Sequence, residues 1–442
     1  MTARQGFSIS WARRLYALAM RLLVPALLVR LWWRGRRHAG YRRAPLRRLG
    51  YYPRERAQAR APRIWLHAVS VGETLAIVPL VEKLLAERAD WRLLITSTTP
   101  TGAERVRDLF GERVDRDWAP FDTPGAVRRF LDHWRPSLAA FVETEIWPNA
   151  IALAVARDIP TVLLNARLSA RSARGYARLG GLARSTVSQF TLIAAQTRAD
   201  ARRFRFLGVE AARVAVTGSL KFEFDVNAVQ AEGNAERERL GVTPDRPVWL
   251  AASTHSDEET VVLEAFVQLQ NKLPRARLIL APRHPERTPD ILALPAARRC
   301  RLRRYSDSAE WSEDDDVLLV DSLGRLGALT GCADLVFVGG SLVPHGGHNP
   351  LEAAAWGLPV LTGPHVFNFA QVYQQLTRAG GAQMISRETL AGEVLRILGS
   401  EEGREEARAQ GLRAQRYLEA KRGALVRQWD LLKPYLDANH RR

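Results

Sequence analysis

The sequence predicts an α/β protein of two parallel-sheet domains preceded by a membrane-anchoring helix. Three observations point there. From residue 62 onward, apolar runs of four to seven residues alternate with helical patterns, as in βαβ units. The alternation restarts near residue 245, after a polar stretch. The first 50 residues carry twelve arginines and no Asp or Glu, so they hold +12 of the net charge of +18.

Residues 15–33 read LYALAMRLLVPALLVRLWW. A spanning helix needs about 20 predominantly apolar residues. Arg21 and Arg30 interrupt this run, and Pro25 is placed to bend it. Trp32 and Trp33 suit a headgroup zone, and the basic block RGRRHAGYRRAPLRR follows at once. An interfacial or shallowly inserted anchor is expected, with the rest of the chain in the cytoplasm. A single span, and an ordinary soluble helix with a solvated basic tail, are the alternatives. A secretory signal fits poorly, because no small-residue cleavage site follows. The charge is concentrated beside apolar residues rather than spread over a folded face with interleaved aromatics. That favours anionic lipid and disfavours nucleic acid.

A chain of 442 residues suggests two or three domains at roughly 100–200 residues each. The expected division is an anchor at 1–50, a first α/β domain at 51–220, a linker at 221–244, a second α/β domain at 245–400 and a charged helical tail at 401–442. In the first domain, strands are expected at 63–69, 92–97, 138–142, 161–164 and 191–195. Helical patterns lie at 75–85, 102–110 and 124–134. In the second, strands are expected at 247–252, 277–281, 317–320, 335–338 and 359–362. The tail is expected to pack back across the halves. Cys300 and Cys332 make no disulfide framework. No G-x-G-x-x-G opens a first helix and no G-x-x-x-x-G-K-[ST] occurs, which disfavours dinucleotide and P-loop enzymes. Ligands of open parallel sheets sit beyond the carboxyl ends of strands, so the chemistry is sought in those loops and in a cleft between the domains.

Two loops stand out. HAVSVGET, 67–74, places Glu73 where a strand meets a helix. That residue type and place fit a general base, and fit equally a carboxylate that complements the helix dipole. VFVGGSLVPHGGHNPLEAAAWGLPVLTGP, 336–364, ends a strand in glycines and then opens a helix. Asn349 is expected as its N-cap and Pro350 as its first residue. Glu352, one turn in, could accept two hydrogen bonds from a ribose diol or simply offset the dipole. His345 and His348 form H-x-x-H, but the two glycines between them argue against a metal-binding helix. EDDD, 313–316, reads as a solvated turn rather than a cation site.

The segments HAVSVGE, TSTTPTG, ETEIWPN, NARLS, GSLKF, APRHPER and HNPLEAAAWGLPVLTGP occur in this order. Together they resemble the Kdo (3-deoxy-D-manno-oct-2-ulosonic acid) transferases of lipopolysaccharide synthesis, from the basic anchor to about residue 400. The resemblance implies a GT-B fold of two Rossmann-like domains facing a cleft. It implies transfer of Kdo from CMP-Kdo to a lipid A precursor (lipid IVA) at the cytoplasmic face of the inner membrane. The anomeric centre is inverted and no metal or other cofactor is needed. The implied partners are CMP-Kdo, the lipid A precursor and anionic inner-membrane lipids. Matched motif by motif, Glu73 becomes the general base, with Glu143 and Lys221 in support. CMP contacts become Pro282 and Arg283, then Leu323, Gly324 and Arg325, then Asn349, Pro350, Leu351 and Glu352. Arg325 departs from the family, which usually has an acidic residue there. A backbone contact at that position survives the change.

An inverting transfer is an in-line displacement, so a carboxylate must lie within about 2.6–3.2 Å of the attacking hydroxyl. A helix N-terminus lowers a carboxylate's pKa and weakens it as a base; burial or a second carboxylate, Glu143 or Glu145, would offset this. Glu145 reads otherwise as a residue steering its loop. The departing phosphate needs fixed donors, for which Lys221, Arg283 and the amides near residue 350 are candidates. Arg283 reads otherwise as a solvated surface arginine. The alternative functions are another GT-B transferase acting on a membrane glycolipid, and a catalytically dead membrane-bound scaffold. The scaffold predicts damaged catalytic loops, whereas Glu73, Lys221 and Glu352 are all present.

Overall fold

The computed structural model describes residues 11–36, 38–53, 61–223, 226–307 and 310–438. Residues 1–10 and 37 of the expected anchor, 54–60 of the first domain, 224–225 of the linker, 308–309 of the second domain and 439–442 of the tail lie outside them. The chain divides into two compact units, Met1–Glu223 with Arg422–Arg442, and Phe224–Lys421.

The first unit is built on seven strands: β1 (Arg63–His67), β2 (Arg92–Ser97), β3 (Asp115–Trp118), β4 (Leu138–Val142), β5 (Thr161–Ala166), β6 (Leu192–Ala195) and β7 (Val214–Val216). All pair in parallel, in the order β3-β2-β1-β4-β5-β6-β7. Every residue of β1, β4 and β5 is buried, as expected of a parallel sheet covered on both faces. Register sets Leu66 between Ile95 and Ala140. Trp65 packs its ring 4.6 Å from Phe130 and 5.2 Å from Phe141, and its indole N–H donates to Thr96 Oγ1 at 2.8 Å. Burying such a side chain contributes about 1.5–3 kcal/mol. The crossover helices start where a hydroxyl caps them: Ser70, Thr99, Thr123, Ser169 and Thr197 each accept from the amide three residues on.

The second unit repeats the plan with β8 (Val248–Thr254), β9 (Arg277–Pro282), β10 (Leu302–Arg304), β11 (Val317–Leu319), β12 (Leu335–Val338), β13 (Val360–Thr362) and β14 (Ala382–Met384). The order is β10-β11-β9-β8-β12-β13-β14, again all parallel. The expected linker contains a helix, Val226–Arg239, that belongs to this unit. Its Glu236 accepts from the Tyr305 hydroxyl at 2.8 Å. Asp315 and Asp316 of the EDDD turn pair with Arg303 and Arg301.

The expected helical tail is two helices that part company. Glu401–Lys421 belongs to the second unit, where Gln410 Nε2 donates to Val360 O at 3.1 Å. Ala424–Asp437 belongs to the first, where Arg88 Nη1 reaches Asp437 at 2.9 Å and Trp429 is buried under Lys83.

The apolar N-terminal segment is one helix, Trp11–Arg34, with Pro25 inside it and no buried residue. By length and mean hydropathy, 1.6, it is long and apolar enough to cross a membrane. Tyr16, Met20, Val24, Leu27 and Leu31 are half-buried on one face. Leu15, Leu18, Leu22, Val29 and Trp33 are exposed. The Tyr16 hydroxyl donates to Asp122 Oδ2 at 2.9 Å, tying this helix to the first unit.

Candidate active site

In the first unit, the candidate residues gather beyond the carboxyl ends of β1 and β4. Ser70 caps the helix Val71–Glu87, and Glu73 lies in its first turn. The Glu73 carboxylate accepts from Val69 N at 2.5 Å and from the Ser70 hydroxyl at 3.3 Å. This reciprocal arrangement is close to a capping box, so the side chain helps to start the helix. Its pKa is nevertheless pushed up to about 7. Burial is the main cause, opposed by the Val69 amide and reinforced by the charges of Glu145 and Glu143. The expected depression at a helix start is therefore outweighed by desolvation and like charge. A carboxylate titrating near neutrality is well matched to base chemistry.

Glu143 follows β4 directly, with φ of 60°. That left-handed conformation is uncommon for a residue with a side chain and is held by neighbours. Its N–H donates to Leu164 O at 3.0 Å, and its C=O accepts from Arg167 N at 3.3 Å. Lys221 Nζ lies 2.8 Å from Glu143 Oε1; this is an ion pair whose angle falls outside hydrogen-bond geometry. Glu145 Oε2 accepts from the Trp147 indole at 2.6 Å and stands 3.7 Å from His67 Nε2. Glu145 thus steers its own loop and adds charge beside Glu73.

Lys221 is positioned by residues that sequence reasoning did not single out. It sits in the short turn Leu220–Phe222. Asn165 of β5, with φ of 49°, accepts the Leu220 amide on Oδ1 at 3.0 Å. The Asn165 N–H donates to Gln428 Oε1 at 3.2 Å, and Gln428 Nε2 donates to Thr217 Oγ1 at 3.2 Å. The helix Ala424–Asp437 thus braces this corner. Asp122 plays a similar part for the ETEIWPN loop: its oxygens accept from Asn149 N at 3.1 Å and Ala150 N at 2.7 Å. Burial pushes the Asp122 carboxyl up to about 6 despite these donors. Within the NARLS segment, a buried Asn next to a strand end was the available signal for Asn165. Asp122 and Gln428 carry no comparable local signal.

In the second unit, the candidates follow the carboxyl ends of neighbouring strands. Pro282 ends β9, and the Arg283 amide donates to Thr254 O at 2.9 Å. The Arg283 side chain is exposed, with no hydrogen-bond or ion-pair partner among the described residues. Leu323 and Gly324 lie in the exposed turn after β11. Arg325 caps the helix Leu326–Thr330 and stands within electrostatic reach of Glu236 and Tyr305. After β12, Asn349 Oδ1 accepts Leu351 N at 3.2 Å, and Pro350 occupies the N-cap of the helix Leu351–Ala355. The helix starts one residue later than expected and is only five residues long, so its dipole is small. Glu352 is half-buried, makes no hydrogen bond or ion pair among the described residues, and has its pKa raised by burial. A desolvated carboxylate without a donor is a poor structural element, and one suited to meet a ligand's hydroxyls.

The glycine loop is held by a residue absent from the sequence reading. Glu258 is fully buried, and its oxygens accept from His255 N at 3.0 Å, Gly340 N at 2.7 Å, Ser341 N at 3.0 Å and Leu342 N at 2.8 Å. Those amides are thus engaged by the protein itself rather than free for a phosphate. A Cβ at Gly339 would come within 2.7 Å of Ser253 O, which explains the glycine there. Against this loop four histidines gather. His255 Nε2 lies 2.9 Å from His348 Nε2, and the His255 ring stacks on His345 at 4.2 Å and meets His284 at 5.8 Å. Burial pushes His255 and His348 down to about 4, with neighbouring histidines and Arg283 adding to the effect. His255 and His348 are therefore neutral at pH 7. Among the described residues, no group of His, Cys, Asp and Glu is arranged to hold a metal ion.

The profile of the family described as 3-deoxy-D-manno-octulosonic-acid transferase (kdotransferase) matches residues 44–224. A 3-deoxy-D-manno-octulosonic acid transferase of Haemophilus influenzae is 39% identical over 402 residues, covering 90% of this chain and 93% of that protein. One from Bordetella pertussis is 38% identical over 439 residues, covering 96% and 99%. Among solved structures, Acinetobacter baumannii MurG is similar with a TM-score of 0.51 at 12% identity, covering 85% of this chain and 99% of that one. At that identity the likeness concerns the fold alone. With the two parallel seven-stranded sheets, it gives the fold class as GT-B.

Proposed function

The chain belongs to the family of 3-deoxy-D-manno-octulosonic acid (Kdo) transferases, and from that premise we infer that it transfers Kdo in lipopolysaccharide synthesis. In this reading it is an inverting glycosyltransferase, CMP-Kdo is the donor and lipid IVA, the tetraacylated lipid A precursor, is the acceptor. The observation that carries the reading is the carboxylate cluster beyond β1 and β4, where Glu73 titrates at about 7 beside Glu143, Glu145 and Lys221. Glu73 takes the proton of the acceptor hydroxyl as it attacks the anomeric carbon. Lys221 offsets the charge of Glu143 and keeps a cation at the site. In the second unit, Arg283, whose side chain has no ion-pair partner among the described residues, offers a charge to the departing CMP phosphate, and Glu352 accepts from the ribose. Fixed donors of this kind serve the leaving group in place of a metal.

The acceptor carries its acyl chains in a bilayer. The exposed apolar face of the helix Trp11–Arg34 and the arginines after it support association with anionic lipid at the cytoplasmic face of the inner membrane. The test is direct. Purified protein is incubated with CMP-Kdo and lipid IVA, and the products are weighed by mass spectrometry. A mass gain of one or more Kdo residues is expected. No gain with intact donor and acceptor would overturn the reading.

A further inference from the structure

On the helix Trp11–Arg34, the half-buried stripe runs Tyr16, Met20, Val24, Leu27 and Leu31 at helical spacing, and only its first member carries a polar group. Phenylalanine would fill that place as well, so the hydroxyl needs its own reason. It donates to Asp122 Oδ2 at 2.9 Å. Asp122 is 1% exposed and lies between β3 and the helix Pro124–Trp134. Its carboxylate also accepts Asn149 N and Ala150 N, and Asn149 Nδ2 donates to Asp122 O at 2.6 Å. Those amides open the helix Pro148–Val155, whose N-cap residue, Trp147, makes no side-chain cap. Asp122 thus caps that helix from 27 residues away in sequence. Trp147 carries the contact on toward the proposed base. Its indole donates to Glu145 Oε2 at 2.6 Å, its ring lies 5.9 Å from His67, and Glu145 is one of the two charges that push Glu73 up. Asp122, His67 and Trp147 leave about 10 Å³ between them, barely the room of one water, so a shift of the helix start is passed on rather than absorbed.

We propose that Tyr16 is a positioning residue for the transfer reaction: through its hydroxyl and Asp122, the apolar helix holds the ETEIWPN loop so that Glu145 stands beside Glu73. This deepens, and rests on, the base reading above. The helix then has two faces with two tasks. Leu15, Leu18 and Leu22 are exposed and suit a lipid surface, whereas the Tyr16 stripe is turned to the protein. A buried carboxylate is costly unless enough donors meet it, and the Tyr16 hydroxyl is the side-chain donor that supplements the two amides. Burial pushes Asp122 up to about 6, while Tyr16, the amides of Asn149 and Ala150, and the charge of His67 pull it down. Tyr176 is the other titratable group near Tyr16. Without the hydroxyl, Asp122 takes up a proton at higher pH and holds the two amides less well. A chain whose helix is undocked loses the same donor, so docking of the helix and competence of the site are coupled.

The experiment compares the full chain with Tyr16→Phe, which keeps the ring and its packing; a thermal melt confirms that the variant is folded. Lipid IVA is dispersed in detergent, so recruitment to a bilayer does not enter the rate. The variant should lose about tenfold in kcat, the scale of one hydrogen bond to a charged group, with the KM for CMP-Kdo unchanged. Its kcat relative to wild type should fall further from pH 8 to pH 6.5; the Glu73 limb is common to both proteins and cancels in the ratio. Hydrogen exchange, which needs no substrate, should be about tenfold faster at the Asn149 and Ala150 amides and unchanged in β1 and β4. Full kcat at both pH values overturns the proposal, whether or not exchange is faster. A lowered kcat with unchanged exchange and a ratio flat in pH overturns it too, because the loss then does not run through Asp122. A wild type that transfers no Kdo fails the reading underneath instead, and the exchange measurement still shows whether the hydroxyl holds the loop.

Discussion

Glu73→Gln is the substitution on which the reading turns. Gln is isosteric and can still accept the Val69 amide, so the helix start should survive. The loss of a general base typically costs about 10²–10⁴ in rate. Donor affinity should be nearly unchanged, because the proposed CMP contacts lie in the other unit. In the wild type, single-turnover rate should rise with pH through about 7 as Glu73 loses its proton, and that limb should vanish in the variant. Stability adds a second readout. A carboxyl whose folded pKa is raised from 4.5 to about 7 keeps its proton in the folded chain where the unfolded chain has lost it. Its contribution is thus most favourable below pH 4.5 and is lost as pH rises through 7. The full shift is worth about 3 kcal/mol, reduced because water reaches this partly exposed group. The variant should therefore gain stability relative to the wild type between pH 5 and pH 8, by about 1–3 kcal/mol. A purely dipole-complementing Glu73 predicts instead a loss of about 0.3–1 kcal/mol at pH 8 and near-normal turnover. Rate by quenched flow, donor affinity by calorimetry and melting at both pH values separate the two. Turnover above about a tenth of wild type would sink the base assignment and make Glu143 the next carboxylate to test.

Three further outcomes are expected. Glu352→Gln should weaken CMP and CMP-Kdo by similar factors, about 1.5–3 kcal/mol or tenfold to a hundredfold in Kd, and an unchanged CMP affinity by calorimetry would remove it from the site. Asn165→Ala strips the acceptor from Leu220 N inside a buried corner, which should cost about 1–3 kcal/mol in denaturant melts and lower kcat through a displaced Lys221; a full-rate variant would show that this corner does not place the lysine. Deleting residues 1–35 should leave a folded protein that binds anionic vesicles more weakly at low salt, and undiminished flotation would refute the anchor.

The sequence determined the two-fold α/β grammar and the apolar N-terminal helix, and it singled out the loops proposed to carry the chemistry. Buried central strands such as β1, β4 and β8 each hold a continuous apolar stretch, 64–66, 138–142 and 248–252, so they are visible as runs. The edge strands β3, β7, β10 and β14 were not legible. They read DRDW, VAV, LRR and AQM, only three or four residues each and partly exposed, and what makes them strands is the neighbour they pair with. Tertiary structure alone decided the electrostatics. A glutamate in a helix's first turn should be a weak base, and only the packing that buries Glu73 near Glu143 and Glu145 reverses this. The same holds for Glu258, which locally is a helix-start carboxylate and in space binds the amides of Gly340, Ser341 and Leu342. It holds for Gln428, which is 263 residues from the Asn165 amide that it receives. Periodicity and turn chemistry are local, so a sequence displays them; desolvation and long-range hydrogen bonds depend on which distant groups share a place, and folding alone fixes that.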